Sequence, residues 1–185
     1  SEKKYDQAVD KFVIVIGKDP TYWQAYLWAA RSFIAKGSWS DAIANGKKAF
    51  ELAPKDKEVL PVFAQALFGG GADALKNGRF AESVNLFVEY LKLEPGNSKA
   101  WLNVGKAYLG QKDFRQALGA FAQGLSSGGG AERQDLIREL LEFVDDVVDE
   151  LPEDLNLAEF VGPYTFPNNN RRRIPAAIYM VIGLI

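Results

Sequence analysis

The sequence contains neither cysteine nor histidine. Without cysteine there are no disulfides, no thiolate metal sites and no thiol nucleophile. Without histidine the commonest general base and the commonest metal ligand are missing together. A basic excess is missing too: 22 Lys and Arg stand against 24 Asp and Glu, for a net charge of -2 and an isoelectric point near 5.3. A chain whose task is to neutralise phosphates carries the opposite balance, so nucleic acid is not expected as a partner. No secretory signal pattern opens the chain at Ser1, and it reads as a processed or cloned piece of a longer one. What is present is globular in composition, with 48% hydrophobic and 25% charged residues over 185 positions. That is enough for one packed domain, or at most two small ones.

The chain repeats itself. WSDAIANGKKAFELAP (39–54) and FAESVNLFVEYLKLEP (80–95) both run from an aromatic through a small residue into a helical stretch and close on a proline. YDQAVDKFVIVIGKDP (5–20) has the same shape, and FRQALGAFAQGL (114–125) repeats it without the proline. In each copy a small residue stands three after the aromatic: Ala8, Ala42, Ser83 and Ala117. A small side chain there lets a neighbouring helix come close, and proline stops the helix. A second helical pattern precedes three of the copies. SKAWLNVGKAYLGQKDF (98–114) puts Trp101, Val104, Gly105 and Tyr108 on one face at i, i+3, i+4, i+7 spacing, and TYWQAYLWAARSFIAKGSW (21–39) does the same with Tyr26, Ala29, Ala30 and Phe33.

This pattern, recurring with a period near 34, resembles the tetratricopeptide repeat over roughly residues 1–127. The resemblance implies an all-α, right-handed α-solenoid of helix-turn-helix repeats: a half repeat over 1–20 and repeats over 21–56, 57–97 and 98–127. The half repeat is a second helix without its first, as expected of a truncated longer array. The third repeat has about seven extra residues, KDKEVLP, ahead of its expected start, read as two added turns of helix with Gly69, Gly70 and Gly71 inside it. A phosphate loop is a poor alternative for FGGGADALKNG (68–78), which lacks the Gly-Lys-Ser/Thr ending and a preceding strand. Close helix packing is the simpler reading. SSGGGAE (126–132) reads as a helix stop followed by a new start.

The resemblance also implies where a partner would lie: along a concave surface built by the first helices. Carried over residue by residue, it offers Gln24, Leu27, Trp28, Arg31 and Ile34 from the second repeat, Gln65, Phe68 and Leu75 beside Gly69 and Ala72 from the third, and Lys99, Leu102, Asn103, Lys106 and Leu109 from the fourth. The carboxylate clamp by which co-chaperone members of the family hold chaperone tails is mostly absent. Lys99 matches it, but Asn103 stands where a basic residue is usual, and Leu27, Arg31 and Gly69 replace other clamp positions. The expected groove is apolar at its centre with a cationic edge from Arg31, Lys99 and Lys106. It suits a peptide with an apolar core and acidic flanks.

AERQDLIRELLEFVDDVVDEL (131–151) is an amphipathic helix long enough to cap the stack, with an acidic outer face. Asp145 and Asp149, one turn apart, lack the oxygen-rich loop a hard cation requires, so no metal, cofactor or carboxylate-pair catalysis is expected. Residues 152–173 read as a linker. The final stretch, Ile174 to Ile185, is uncharged and follows Arg171, Arg172 and Arg173. Twelve residues fall short of the ~20 that span a bilayer, so the tail is open to three readings: the start of a transmembrane helix at the cytoplasmic face, a piece of core, or a segment docking in a groove of this or a second copy. The sequence therefore points to a non-catalytic protein-interaction scaffold, with a module of a larger enzyme and a self-assembling homo-oligomer as the alternatives.

Overall fold

The structure, a computed structural model, describes residues 2–127, with side-chain surroundings from Tyr5 onward. These residues form seven α-helices: α1 (Glu2–Lys18), α2 (Trp23–Lys36), α3 (Trp39–Leu52), α4 (Val59–Lys76), α5 (Phe80–Leu93), α6 (Ser98–Gly110) and α7 (Phe114–Ser127). The chain divides into two compact units, Ser1–Glu94 and Pro95–Ile185, of which the first holds α1–α5 and the second α6 and α7. The capping helix expected over 131–151, the linker over 152–173 and the tail over 174–185 lie outside the described residues.

Three turns between paired helices share one construction. After α2, Gly37 donates its N–H to Ile34 and Ser38 donates to Phe33; after α4, Gly78 donates to Leu75 and Arg79 to Ala74. After α6, Lys112 donates to Leu109 and Asp113 to Tyr108. Each closes the last helical carbonyls through a residue in the left-handed region, with φ of 72° at Gly37, 72° at Gly78 and 60° at Lys112. Glycine adopts that conformation without a Cβ clash; lysine at the third turn does not.

In the first unit α2 packs on α1 and α3, α4 on α3 and α5, and α2 also touches α4. The small-residue positions read from the repeat are where these helices meet. Ala42 and Ser83 are fully buried, and the Ser83 hydroxyl donates to the Gly71 carbonyl at 2.9 Å, tying α5 to α4. The glycine run sits within α4, and aromatic side chains take the space that its missing side chains leave. A Cβ on Gly69 would stand 2.2 Å from the Trp39 ring, and one on Gly71 would stand 3.0 Å from Phe87. Gly105 of α6 makes the same kind of seat for Phe121 of α7, at 2.1 Å. Three glycines in a helix each cost roughly 1 kcal/mol of propensity; the close approach of α3 and α5 is what they permit in return.

The insertion does not give the two helical turns expected of it: Lys55 to Glu58 lie in turns, and α4, with 18 residues against 14 in α2, is about one turn longer; that added turn has a consequence. Val59 and Val62 join Leu27 and Ala30 of α2 and Ala49 of α3 in one buried cluster, with Trp23, Tyr26, Ile34 and Phe50 packed around it. Phe63 continues the contact: its Cα lies 3.3 Å from where a Cβ on Gly46 would be, and its ring meets Phe50 at 5.7 Å. In the second unit α6 packs on α7. Asn97 caps α6 by accepting from the Ala100 N–H at 2.9 Å, and the Trp101 indole donates to the Pro95 carbonyl at 3.1 Å.

Candidate functional site

The residues assigned to a groove do not share one environment. Leu27 is 2% exposed and belongs to the α2–α3–α4 cluster just described. It is core, and the reason is the longer α4, which lays Val59 and Val62 over a face that a repeat of regular length would leave open. Leu102 is 3% exposed and is likewise core, in the second unit. Phe68 is half-buried, its ring edge-on to Phe87 and Tyr90 of α5 at 5.3 Å in both cases. The three apolar residues expected to anchor a ligand are thus committed to packing.

Trp28 is different. It stands one residue after Leu27 and is 50% exposed. The Arg31 guanidinium lies over its ring, 4.6 Å from the centroid, as expected of a cation on the electron-rich face of indole. Arg31 is held there from the other side by Glu58, whose Oε2 accepts from Nη2 at 3.0 Å. Gln24, one turn earlier on α2, is half-buried, and Gln65 on α4 is exposed. Ile34, Gly69, Ala72 and Leu75 are half-buried, Ile34 against the Leu27 cluster and Gly69 under Trp39. Separately, on α6 of the second unit, Lys99 is exposed while Asn103, Lys106 and Leu109 are half-buried. The sequence reading missed Glu58. Its position just ahead of α4 was visible as part of the insertion, but a pairing across 27 residues has no local signature.

A second feature of the first unit went unnoticed in the sequence. A cleft of about 350 Å³ is lined by Gly37, Trp39, Ile43, Gly70 and Leu86 together with Ser40, Asp73, Arg79 and Glu82. Arg79 bridges the two acids, donating from Nη2 to Asp73 at 2.5 Å and from Nη1 to Glu82 at 2.7 Å. Among the described residues no cluster of three or more Asp and Glu is placed to hold a metal ion, and no helix is long and apolar enough to cross a membrane. In the turn between α1 and α2, the Thr21 hydroxyl and N–H both donate to the Asp19 carboxylate, which holds its pKa below the usual aspartate value.

Comparison with known proteins agrees with this architecture. Two family models, both described as tetratricopeptide repeat, match residues 2–57 and 74–140. No curated protein matches the chain. Among solved structures, a crystal structure of MamA is similar at 17% identity, covering 78% of this chain and 83% of that one, with a TM-score of 0.49. A second MamA structure is 18% identical over 68% and 83% of the two chains, with a TM-score of 0.35. A thermophilic TPR protein of Thermus thermophilus, TTC0263, is 18% identical over 82% and 86%, with a TM-score of 0.38. The chain is a tetratricopeptide repeat protein. It is an all-α helical-repeat protein of the kind that works as a protein-interaction scaffold.

Proposed function

We propose that the chain recruits a partner segment with an apolar centre and acidic flanks, and that Trp28 is the anchor for it on α2. The observation that carries this reading is the half-exposed indole with a guanidinium stacked on it. Burying such a ring fully on binding removes a large apolar surface from water, and aromatic anchors of this kind dominate binding energies. Arg31 is placed to meet an acidic flank. Glu58 already occupies that role in the free chain, so a partner carboxylate would take its place on Arg31. Gln24 supplies an amide beside the ring on the same helix. Lys99, Asn103, Lys106 and Leu109 form a second, separate face on α6 of matching character: cationic and amide groups around one aliphatic side chain. Leu27, Phe68 and Leu102 take no part, because each is engaged in packing.

A displayed library of short random peptides, panned against the full chain and against a Trp28→Ala variant, tests this. The wild-type chain should select peptides with an aromatic or aliphatic centre flanked by Asp or Glu, and the variant should lose them. Identical selections from both would refute the assignment. The reading of residues 171–185 as a membrane contact rests on the three arginines ahead of an apolar run. Flotation of the chain with and without those residues on anionic liposomes should recover only the longer form.

A second reading, self-assembly, draws support from α1. Val13 and Ile14 are each 59% exposed, an unusual concentration of branched aliphatic surface on one helix. If copies associate there, the mass in solution should rise with concentration, and Val13→Asp with Ile14→Asp should hold the chain monomeric. A mass that is flat with concentration in the unaltered chain removes this reading.

A further inference from the structure

We infer that the cleft bounded by α3, α4 and α5 binds a partner segment that presents an arginine or lysine beside a branched aliphatic residue. The inference is independent of the Trp28 reading: the cleft shares no residue with that face and is framed mainly by the second helices, α3 and α5, around the glycine run of α4.

The inner wall carries apolar side chains, with the tips of Ile43 and Leu86 closing over the buried Gly70. A Cβ placed on Gly70 would meet Ile43 Cδ1 at 2.9 Å and Leu86 Cδ1 at 3.4 Å. Trp39, seated on Gly69, forms a side wall. The cleft opens beside these side chains, which gain from losing water when an aliphatic group covers them.

The rim sets the sign of the ligand. Asp73 and Glu82 share the single guanidinium of Arg79, leaving the charged lining at -1 (two carboxylates, one cation). Arg79 bonds one oxygen of each acid, Oδ2 of Asp73 and Oε2 of Glu82. Among the described residues the other oxygen of each accepts no protein hydrogen bond. Those two oxygens can receive an incoming ammonium or guanidinium without breaking the bridge. An anion would meet net repulsion, and a purely apolar ligand would cover the carboxylates without satisfying them. The three charged side chains are partly solvated, so the ionic term is modest and the aliphatic contact is needed beside it.

The test is a titration of the ¹⁵N-labelled full chain with acetyl-Ile-Arg-Ile-amide, followed by amide spectra, to about 5 mM, where a weak short ligand saturates. The backbone amides of Gly37, Ser40 and Gly70 should shift, with the arginine peptide binding at least about tenfold more tightly than acetyl-Ile-Glu-Ile-amide. Asp73→Asn combined with Glu82→Gln should weaken the arginine peptide about tenfold while leaving the rest of the spectrum in place. Trp28→Ala should leave the titration unchanged. Absence of shifts at those three amides, equal binding of the glutamate peptide, or full binding to the double variant would each overturn the inference.

Discussion

Leu27 and Trp28 are neighbours in sequence with different surroundings, one sealed under α4 and the other open to solvent with Arg31 on its face. Leu27→Ala should cost about 2–5 kcal/mol of stability in urea unfolding, the range for a well-packed aliphatic truncation. Trp28→Ala should stay within about 1 kcal/mol, since it removes surface contacts only. The reverse order would mean that the two assignments are exchanged. At the same scale, Lys112 holds the left-handed turn that glycine holds at the two equivalent turns. Lys112→Gly should raise stability by about 0.5–1 kcal/mol through relief of that strain, seen as a higher melting temperature. Most of these residues were legible in part. The core positions of each first helix could be read from spacing, and Ala29, Ala30, Val104 and Gly105 are buried as that spacing requires. The groove residues could not, because spacing gives the angle of a side chain around its helix and not which neighbour covers it. Trp28 and Leu27 came with equal standing from the sequence; only the packing separates them.

At the scale of elements, α4 decides most of what the sequence left open. The surplus length ahead of it was visible in the sequence, but that only about one turn of it would be helix, and what that turn would cover, was not. Val59 and Val62 reach back to α2, a contact between residues about 30 positions apart that no local pattern reports. The glycine run was legible as packing rather than as a phosphate loop, because its flanks lacked both a strand and the Gly-Lys-Ser/Thr ending that such a loop requires. Which helices it admitted was not. A pair of substitutions tests the account of that packing. Alanine for glycine in a helix is favourable by up to about 1 kcal/mol where nothing obstructs it. Among the described residues a Cβ added at Gly119 of α7 would meet nothing within 4 Å, so Gly119→Ala should stabilise. Gly69→Ala places a methyl 2.2 Å from the Trp39 ring and should destabilise by about 1–3 kcal/mol despite the better propensity. Adding Trp39→Leu to Gly69→Ala should recover part of that loss, a coupling that independent sites would not show. Thermal melts of these three variants and of Trp39→Leu alone decide the matter.

For the molecule as a whole, the repeat architecture offers helix faces of the kind that interaction scaffolds use for recognition. The first unit presents two such features built from different residues. One is the Trp28–Arg31 face of α2 with Glu58 at the start of α4, an aromatic centre and a cation that we proposed for an acidic flank. The other is the Trp39–Ile43–Leu86 cleft with the Asp73–Arg79–Glu82 rim, for which we inferred a cationic partner. A scaffold with two surfaces of opposite charge selectivity can hold two different segments without competition between them. Sequence and composition pointed to a scaffold and offered residues of one of these surfaces; the acidic-rimmed cleft depends on residues from three helices and two turns, which only the fold brings together. The most direct test of the central claim is the affinity of one acidic-flanked peptide, selected on the wild-type chain, for that chain and for Trp28→Ala, with a melting curve recorded for each. The claim predicts an affinity loss of at least about tenfold with the melting temperature nearly unchanged. Equal affinity for both chains, or a loss that appears only together with a collapse in melting temperature, would contradict it.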